Sequence, residues 1–320
     1  LGGKMISRNY ALKETHLSLP ARQMGKVRDW YSPEQGKRLI VTTDRISAFD
    51  RVLTALPYKG QVLNQLSLWW FENTSDIIKN HIISSPDPNC VIVTEVEPLP
   101  IEVIVRGYIT GVTTTALWYR YSLGERNIYG YDFPDGLKKN QALPAPIITP
   151  TTKGGPTGHD ERLTCKEVIS GGYMKRDQWE TVQKAALKLF ERGQKQAKEA
   201  GLILVDTKYE FGIDKNGKIL LIDEVHTPDS SRYWKLDSYQ ERLKAEKEPE
   251  NFDKEFIRMA YAAKGYRGDG TIPELDEAVW NEAVELYITA FEKLTKTEFL
   301  RGEYPIEKRI EQNLKKAGIL

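Results

Sequence analysis

The stretch from Leu202 to Trp234, LILVDTKYEFGIDKNGKILLIDEVHTPDSSRYW, decides how this chain is read. Two apolar-rich runs flank the turn signal Asp214-Lys215-Asn216-Gly217, so the segment is predicted to fold as a β-hairpin. Side chains alternate along a strand, which puts Leu204, Asp206, Lys208 and Glu210 on one face and Val205, Tyr209 and Phe211 on the other. Two registers are open. Pairing Ile213 with Lys218 sets Lys208 opposite Asp223; closing on the tight Asn216-Gly217 turn sets Glu210 opposite Asp223. Either register gathers Asp206, Lys208, Glu210 and Asp223 on one face and sends Glu224 to the other. A lysine among three carboxylates suits Mg²⁺ and phosphate, which take oxygen ligands and a point cation. The same pattern also occurs as solvated ion pairs on an exposed sheet. The unbroken run Leu220-Leu221-Ile222 argues against exposure, because a strand covered on both faces would enclose Asp223.

Working outward, 320 residues suffice for one large or two modest domains with a real core. Lys+Arg 46 against Asp+Glu 45 leaves no field to attract nucleic acid or an anionic membrane, so phosphate binding must be local. Two distant cysteines, Cys90 and Cys165, lack metal spacing and fit a reducing, cytoplasmic setting. No apolar run reaches membrane-spanning length. Leu1-Gly2-Gly3-Lys4 ahead of Met5 reads as an appendage and is left out of the fold argument.

The N-terminal third reads as strands: Gly25 to Tyr31, a turn at Ser32 to Gly36, and Arg38 to Thr43. Val62 to Phe71 carries a helical apolar spacing, Val91 to Val96 another strand, and Glu102 to Val105 a further extended run. Glu97-Pro98-Leu99-Pro100 between the last two is the expected connection between two lobes. Tyr119 to Lys153, rich in Tyr, Gly, Pro and Asn, is expected to form long surface structure. A helix follows, with Asp177 and Glu180 as a capping box, Trp179, Val182, Ala186, Leu189, Gly193 and Ala197 as its stripe, and Gly201 just past its end. Beyond Asp237, Val279 to Leu294 and Glu307 to Lys316 read as amphipathic, structural helices.

Two common nucleotide signatures are absent. Gly154-Gly155-Pro156-Thr157-Gly158 lacks the Lys-Ser/Thr end of a P-loop, and no Gly-x-Gly-x-x-Gly follows a strand. A nucleotide must be held another way, for example between two sheets.

An ordered set of motifs is more specific. GKVRDWY (25–31), TTDRISAFD (42–50), YKGQVLNQLSLWWF (58–71), EVIVRGYITG (102–111), LPAPIITPTTK (143–153) and HDE (159–161) precede the hairpin. Together with LILVDTKYEFG and IDEVHTPDSSRYW they resemble the phosphoribosylaminoimidazole-succinocarboxamide synthase (SAICAR synthetase) family, from about Gly25 to Trp234. The resemblance implies an α+β, ATP-grasp-like two-lobed fold with antiparallel sheets and a helical C-terminal region. It also implies an N-terminal β-rich lobe covering ATP (5–100), a central lobe with the substrate and Mg/ATP sites (101–236), and helices packed on the core (237–320). The implied reaction joins L-aspartate to carboxyaminoimidazole ribonucleotide (CAIR), with ATP as co-substrate and Mg²⁺ as cofactor. Small molecules are then the expected partners, with a monomer or homodimer as the assembly and no nucleic acid or membrane.

Carried over position by position, the resemblance implies that Lys26 and Lys208 reach the ATP phosphates and that Glu210 and Asp223 hold Mg²⁺. Asp206 and Asp160 match acidic positions near the substrate carboxylate, and Arg106 and Arg232 the arginines on the ribonucleotide phosphate, which a planar fork suits. Asp44, Arg45 and Ser47 match a loop meeting aspartate and imidazole; Asp229 and Ser230 form a polar turn facing substrate oxygens. Plainer readings stay open: an exposed strand lysine for Lys26, a turn or cap role for Asp160, a solvated turn lysine for Lys59. The family's serine after Gly111 is here Val112, and which of Thr113, Thr114 and Thr115 replaces its hydroxyl stays open. A small-molecule kinase and a silent nucleotide-binding protein are the rival readings.

Overall fold

The computed structural model describes residues 7–49, 51–154 and 160–320; Leu1 to Lys4, Asp50, and His159 with most of the glycine-rich loop lie outside the described residues. Two antiparallel sheets dominate. The first is built from β1 (Arg28–Tyr31), β2 (Lys37–Thr42), β3 (Ile82–Asp87) and β4 (Cys90–Thr94), in the order β1-β2-β4-β3, with Gln23–Met24 beside β1. Alternation along β1 turns Asp29 and Tyr31 inward to the core and leaves Arg28 and Trp30 half-buried on the other face.

The second sheet contains β5 (Ile101–Ile109), β6 (Gln141–Thr152), β7 (Leu202–Ile213), β8 (Ile219–Ile222) and β9 (Ser231–Lys235). β7 is its spine. One edge of β7 pairs with β5 and with Glu97–Pro98, the other with β9 near its start and β8 near its end. The α+β architecture with antiparallel sheets is the one expected.

Three local expectations change. The middle region includes the twelve-residue strand β6. It lies at the sheet edge and is irregular between Ala142 and Ile147, where Pro144 and Pro146 need not donate to a ladder. Leu204 does not share a face with Lys208. The ladder slips between Leu204 and Asp206, so Leu202 and Leu204 join Tyr209 and Phe211 in the main core while Ile203 and Val205 pack with Trp234 and Tyr239. The capping box at Asp177 is not formed, because the helix starts at Arg176 and its cap bond runs from the Lys175 amide to Gln178 Oε1.

Helices cover the sheets. α1 (Lys59–Asn73) and α2 (Arg176–Glu199) bury apolar stripes in the main core, and Gly201 follows α2 in the left-handed conformation that favours glycine. α3 (Glu277–Thr295) packs against α1. α4 (Ile306–Lys316) lays Ile306, Ile310 and Leu314 on Leu12, Leu17, Tyr31, Leu39, Val41 and Ile92, closing the outer face of the first sheet. Each such side chain taken out of water contributes about 1.5–3 kcal/mol. No helix among the described residues is long and apolar enough to cross a membrane.

Candidate active site

A cleft of 530 Å³ separates the two sheets. One wall carries Lys26, Arg28, Trp30, Arg38, Ile40, Val93, Glu95 and Val96; the other carries Lys208, Glu210, Ile222 and Asp223, with Ser47, Asp229, Ser230 and Lys254 also lining it. The structure therefore brings Lys26, Lys208, Glu210, Asp223, Ser47, Asp229 and Ser230 to one space. Lys26 sits in the turn before β1 rather than on the strand. That turn is clamped by Arg45, whose guanidinium donates to the carbonyls of Lys26 (3.0 Å) and Gly25 (2.9 Å).

The hairpin register differs from both sequence alternatives. Ile213 pairs with Ile219 and Glu210 with Ile222, so strict alternation would place Asp223 behind the ribbon, away from Glu210. It is not there. β8 ends at Ile222, and Asp223 has a φ of +66°, a left-handed backbone that turns its carboxylate back toward the cleft. Asp223 Oδ2 lies 3.8 Å from Lys208 Nζ. Lys208 Nζ also donates to Glu102 Oε1 (3.0 Å) and to Glu210.

Burial works against the charge on Lys208, yet Glu210, Asp223 and Glu102 together raise its pKa well above the usual lysine value. It is a fixed cation and not a base. Burial also opposes ionisation of Glu210, but Lys208 and Lys153 hold it down to about 2. Asp223 goes the other way: burial, with the negative charge of Glu210 added, pushes it up to about 7 although Arg28 sits on it. The Arg28 Nη1–Asp223 Oδ1 contact is 2.6 Å, and Arg28 Nη2 lies 3.2 Å from Glu224 Oε1, so one guanidinium ties the two walls together.

A second group lies further along the same strands. Asp206 pairs with Arg106 of β5 on one side and with Arg232 of β9 on the other. Its Oδ2 lies 3.4 Å from Arg106 Nη1 and 3.2 Å from Arg232 Nη1. Two guanidiniums on one carboxylate leave a unit of positive charge, suited to an oxyanion. Gly111, at φ +93°, presses so close that an added Cβ would sit 2.9 Å from Arg232 Nη1. Thr115 adjoins this group through its carbonyl, which accepts from Arg106 Nη2 (3.5 Å) and Tyr129 Oη (2.7 Å).

Two predicted residues are placed elsewhere. Asp44 is fully buried, accepting from the amides of Leu12 (2.9 Å) and Gly60 (2.9 Å) and from Tyr304 Oη (3.4 Å); it ties three chain segments together. Burial raises its carboxyl to about 6. Asp160 is exposed, accepts from the Gly154 amide (3.0 Å), and lines a separate hollow of 420 Å³ with Thr114, Thr115 and Arg162. It is not among the residues that line the cleft with Lys208. Val112 is 57% exposed and outside that hollow's lining.

Sequence reading passed over Arg28, Glu102, Lys153 and Lys254. Arg28, Glu102 and Lys153 each stand within or at the end of a quoted motif, but only the sheet pairing shows that they converge. Lys59, open as a solvated lysine, is fully buried with its Nζ 2.8 Å from Asp229 Oδ2.

The same architecture recurs in proteins of known identity. A family model described as SAICAR synthetase matches residues 21–273. The phosphoribosylaminoimidazole-succinocarboxamide synthase of Legionella pneumophila (strain Paris) is 48% identical over 96% of this chain and 98% of its own. A putative phosphoribosylaminoimidazole-succinocarboxamide synthase 2 of Agrobacterium fabrum is 48% identical over 92% of this chain and 94% of its own. Among solved structures, the SAICAR-synthase of Saccharomyces cerevisiae complexed with SAICAR superposes with a TM-score of 0.79 at 33% identity, covering 90% of this chain and 99% of that one. With the family model spanning most of its length and these relatives covered nearly end to end, the chain belongs to the SAICAR synthetase family.

Proposed function

We propose that the cleft between the sheets takes ATP with its phosphates toward Lys26, Arg28 and Lys208, while the Arg106–Asp206–Arg232 group takes the phosphate of CAIR. The enzyme is an ATP-dependent carbon–nitrogen ligase of purine biosynthesis that joins L-aspartate to CAIR, giving SAICAR, ADP and phosphate. The observation that carries the site assignment is the convergence of Lys26, Lys208, Glu210 and Asp223 on one cleft from its two walls.

A carboxylate resists attack by an amine because it offers no leaving group. Transfer of the γ-phosphoryl group to a carboxylate oxygen of CAIR breaks the bond to the β-phosphate, releases ADP and makes an acyl phosphate. The L-aspartate amine then adds to the acyl carbon, the bond from that carbon to the phosphate oxygen breaks, and the amine's surplus proton leaves with phosphate. These steps require alignment and charge compensation more than covalent help. Lys208, held ionised, supplies a fixed positive charge beside the reacting oxygens. Lys153 on Glu210 and Arg28 on Asp223 are further cations within reach of the phosphates.

Glu210 and Asp223 fit magnesium, which commonly takes one or two carboxylates and completes its shell from phosphates and water. The pair supports such a role electrostatically, because Asp223 is hard to ionise beside Glu210 until more positive charge arrives. Bound there, magnesium would neutralise charge on the β- and γ-phosphates. Among the described residues no group of three or more His, Cys, Asp or Glu side chains is arranged for a metal, so the nucleotide itself would complete the site.

Asp223→Asn tests the assignment. Turnover, followed as ADP release and as formation of the amide product, should fall by about a hundred-fold or more, with a higher Mg²⁺ requirement and an unchanged melting profile. Wild-type turnover would remove Asp223 from the metal site. ADP formation independent of L-aspartate in the wild type would favour the kinase reading instead.

A further inference from the structure

Lys254 is a cleft cation that this scheme leaves unused. Its side chain is 13% exposed and lines the cleft, and its described pairing is to Asp229 Oδ2 at 3.8 Å, beyond hydrogen-bond range. Asp229 takes its hydrogen bonds from elsewhere, although the charge of Lys254 helps to keep it ionised. Lys59 Nζ already donates to Asp229 Oδ2 (2.8 Å) and Tyr287 Oη to Oδ1 (2.6 Å), both from the protein interior. A nearly buried ammonium with three donors and no close acceptor among the described residues is costly to maintain, and an arriving anion would satisfy it. Burial accordingly lowers its pKa to about 8.

Its position follows from the backbone. The Lys208 amide donates to the Ser230 carbonyl (3.0 Å) and the Lys254 amide to the Pro228 carbonyl (3.1 Å). Both lysines are therefore anchored to the same short turn and face the same cleft. On the functional reading above, on which this step rests, Lys26, Arg28 and Lys208 meet the triphosphate, and Arg106 and Arg232 meet the ribonucleotide phosphate. The remaining anion in the reaction is the dicarboxylic amine, which must approach the acyl carbon next to Lys208. We propose that Lys254 holds a carboxylate of the incoming amine substrate and so determines specificity for a dicarboxylic amino acid.

Steady-state kinetics of Lys254→Met and Lys254→Arg test this. The methionine variant should raise the KM for L-aspartate about ten-fold or more while the KM values for ATP and CAIR stay within about two-fold; arginine should restore part of the loss. L-Alanine and 3-aminopropanoate each keep one of the two carboxylates, and as competitors they identify which one Lys254 holds by whose inhibition constant rises. A KM for L-aspartate that does not move, equal rises for all three substrates, or two unchanged inhibition constants overturns the proposal. Should the methionine variant fold poorly, wild-type enzyme with ADP and CAIR is acetylated with and without L-aspartate. Protection of Lys254, mapped by mass spectrometry, supports the assignment and equal labelling refutes it. Failure of the broader reading would look different: Asp223→Asn would keep full turnover.

Discussion

Among single residues, Asp223 and His81 show how position sets chemistry. Asp223 reaches Lys208 only because its backbone leaves the strand at positive φ, a cost an aspartate tolerates better than most residues. Sequence alternation therefore reached the right partners through the wrong register. Lys208 and Glu210 were legible because they lie within one regular strand; Asp223 was not, because its direction depends on a local turn. His81 lines the same cleft, and burial, then the charges of Arg28 and Arg38, lower its imidazole to about 3. Its folded value lies below the ordinary 6.5, so between these two pH values the unfolded chain binds the extra proton and stability falls as pH falls. Each pH unit in that window removes at most about 1.4 kcal/mol. His81→Gln should flatten the decline of the urea midpoint between pH 7 and pH 5. The slope should not vanish, because His226 is lowered in the same direction. Parallel slopes in wild type and variant would show that His81 does not titrate this way.

Elements were easier to anticipate than their contacts. The stripe of α2 is a matter of helical period, and every residue assigned to it is buried. The edge strand β6 was hidden by its prolines, since sequence cannot show that they fall on the unpaired border of a sheet. The phase change between Leu204 and Asp206 was equally hidden, because a slip in the ladder depends on the neighbouring strand. Gly193 marks where α2 meets that sheet: an added Cβ would sit 2.5 Å from His226 Cε1 and 2.6 Å from Leu204 Cδ2. Alanine favours helix over glycine by about 1 kcal/mol, but the overlap involves two buried side chains and should outweigh it. Gly193→Ala is expected to destabilise the protein by about 1–3 kcal/mol net, read as a lower melting temperature. An equal or higher one would mean that the packing yields.

Across the whole molecule, the first sheet is finished by residues far from it in sequence. Arg309 of α4 forms a two-pronged pair with Asp87, Nε to Oδ2 at 3.0 Å and Nη2 to Oδ1 at 3.1 Å, and the Asp87 side chain is fully buried. Removing the guanidinium strands a buried carboxylate, so Arg309→Ala should lower stability by about 3–5 kcal/mol, measured by urea unfolding. A loss below about 1 kcal/mol, the scale of exposed pairs, would show that Asn313 and the Asn89 amide suffice for Asp87. This long-range closure was not visible in the sequence, where Glu307 to Lys316 has the appearance of any amphipathic helix. During synthesis the same arrangement imposes an order. Tyr31, Leu39 and Val41 leave the ribosome long before Ile306, Ile310 and Leu314 exist to shelter them. The nascent first sheet must wait with an uncovered oily surface, and it is there that a chaperone would find its grip.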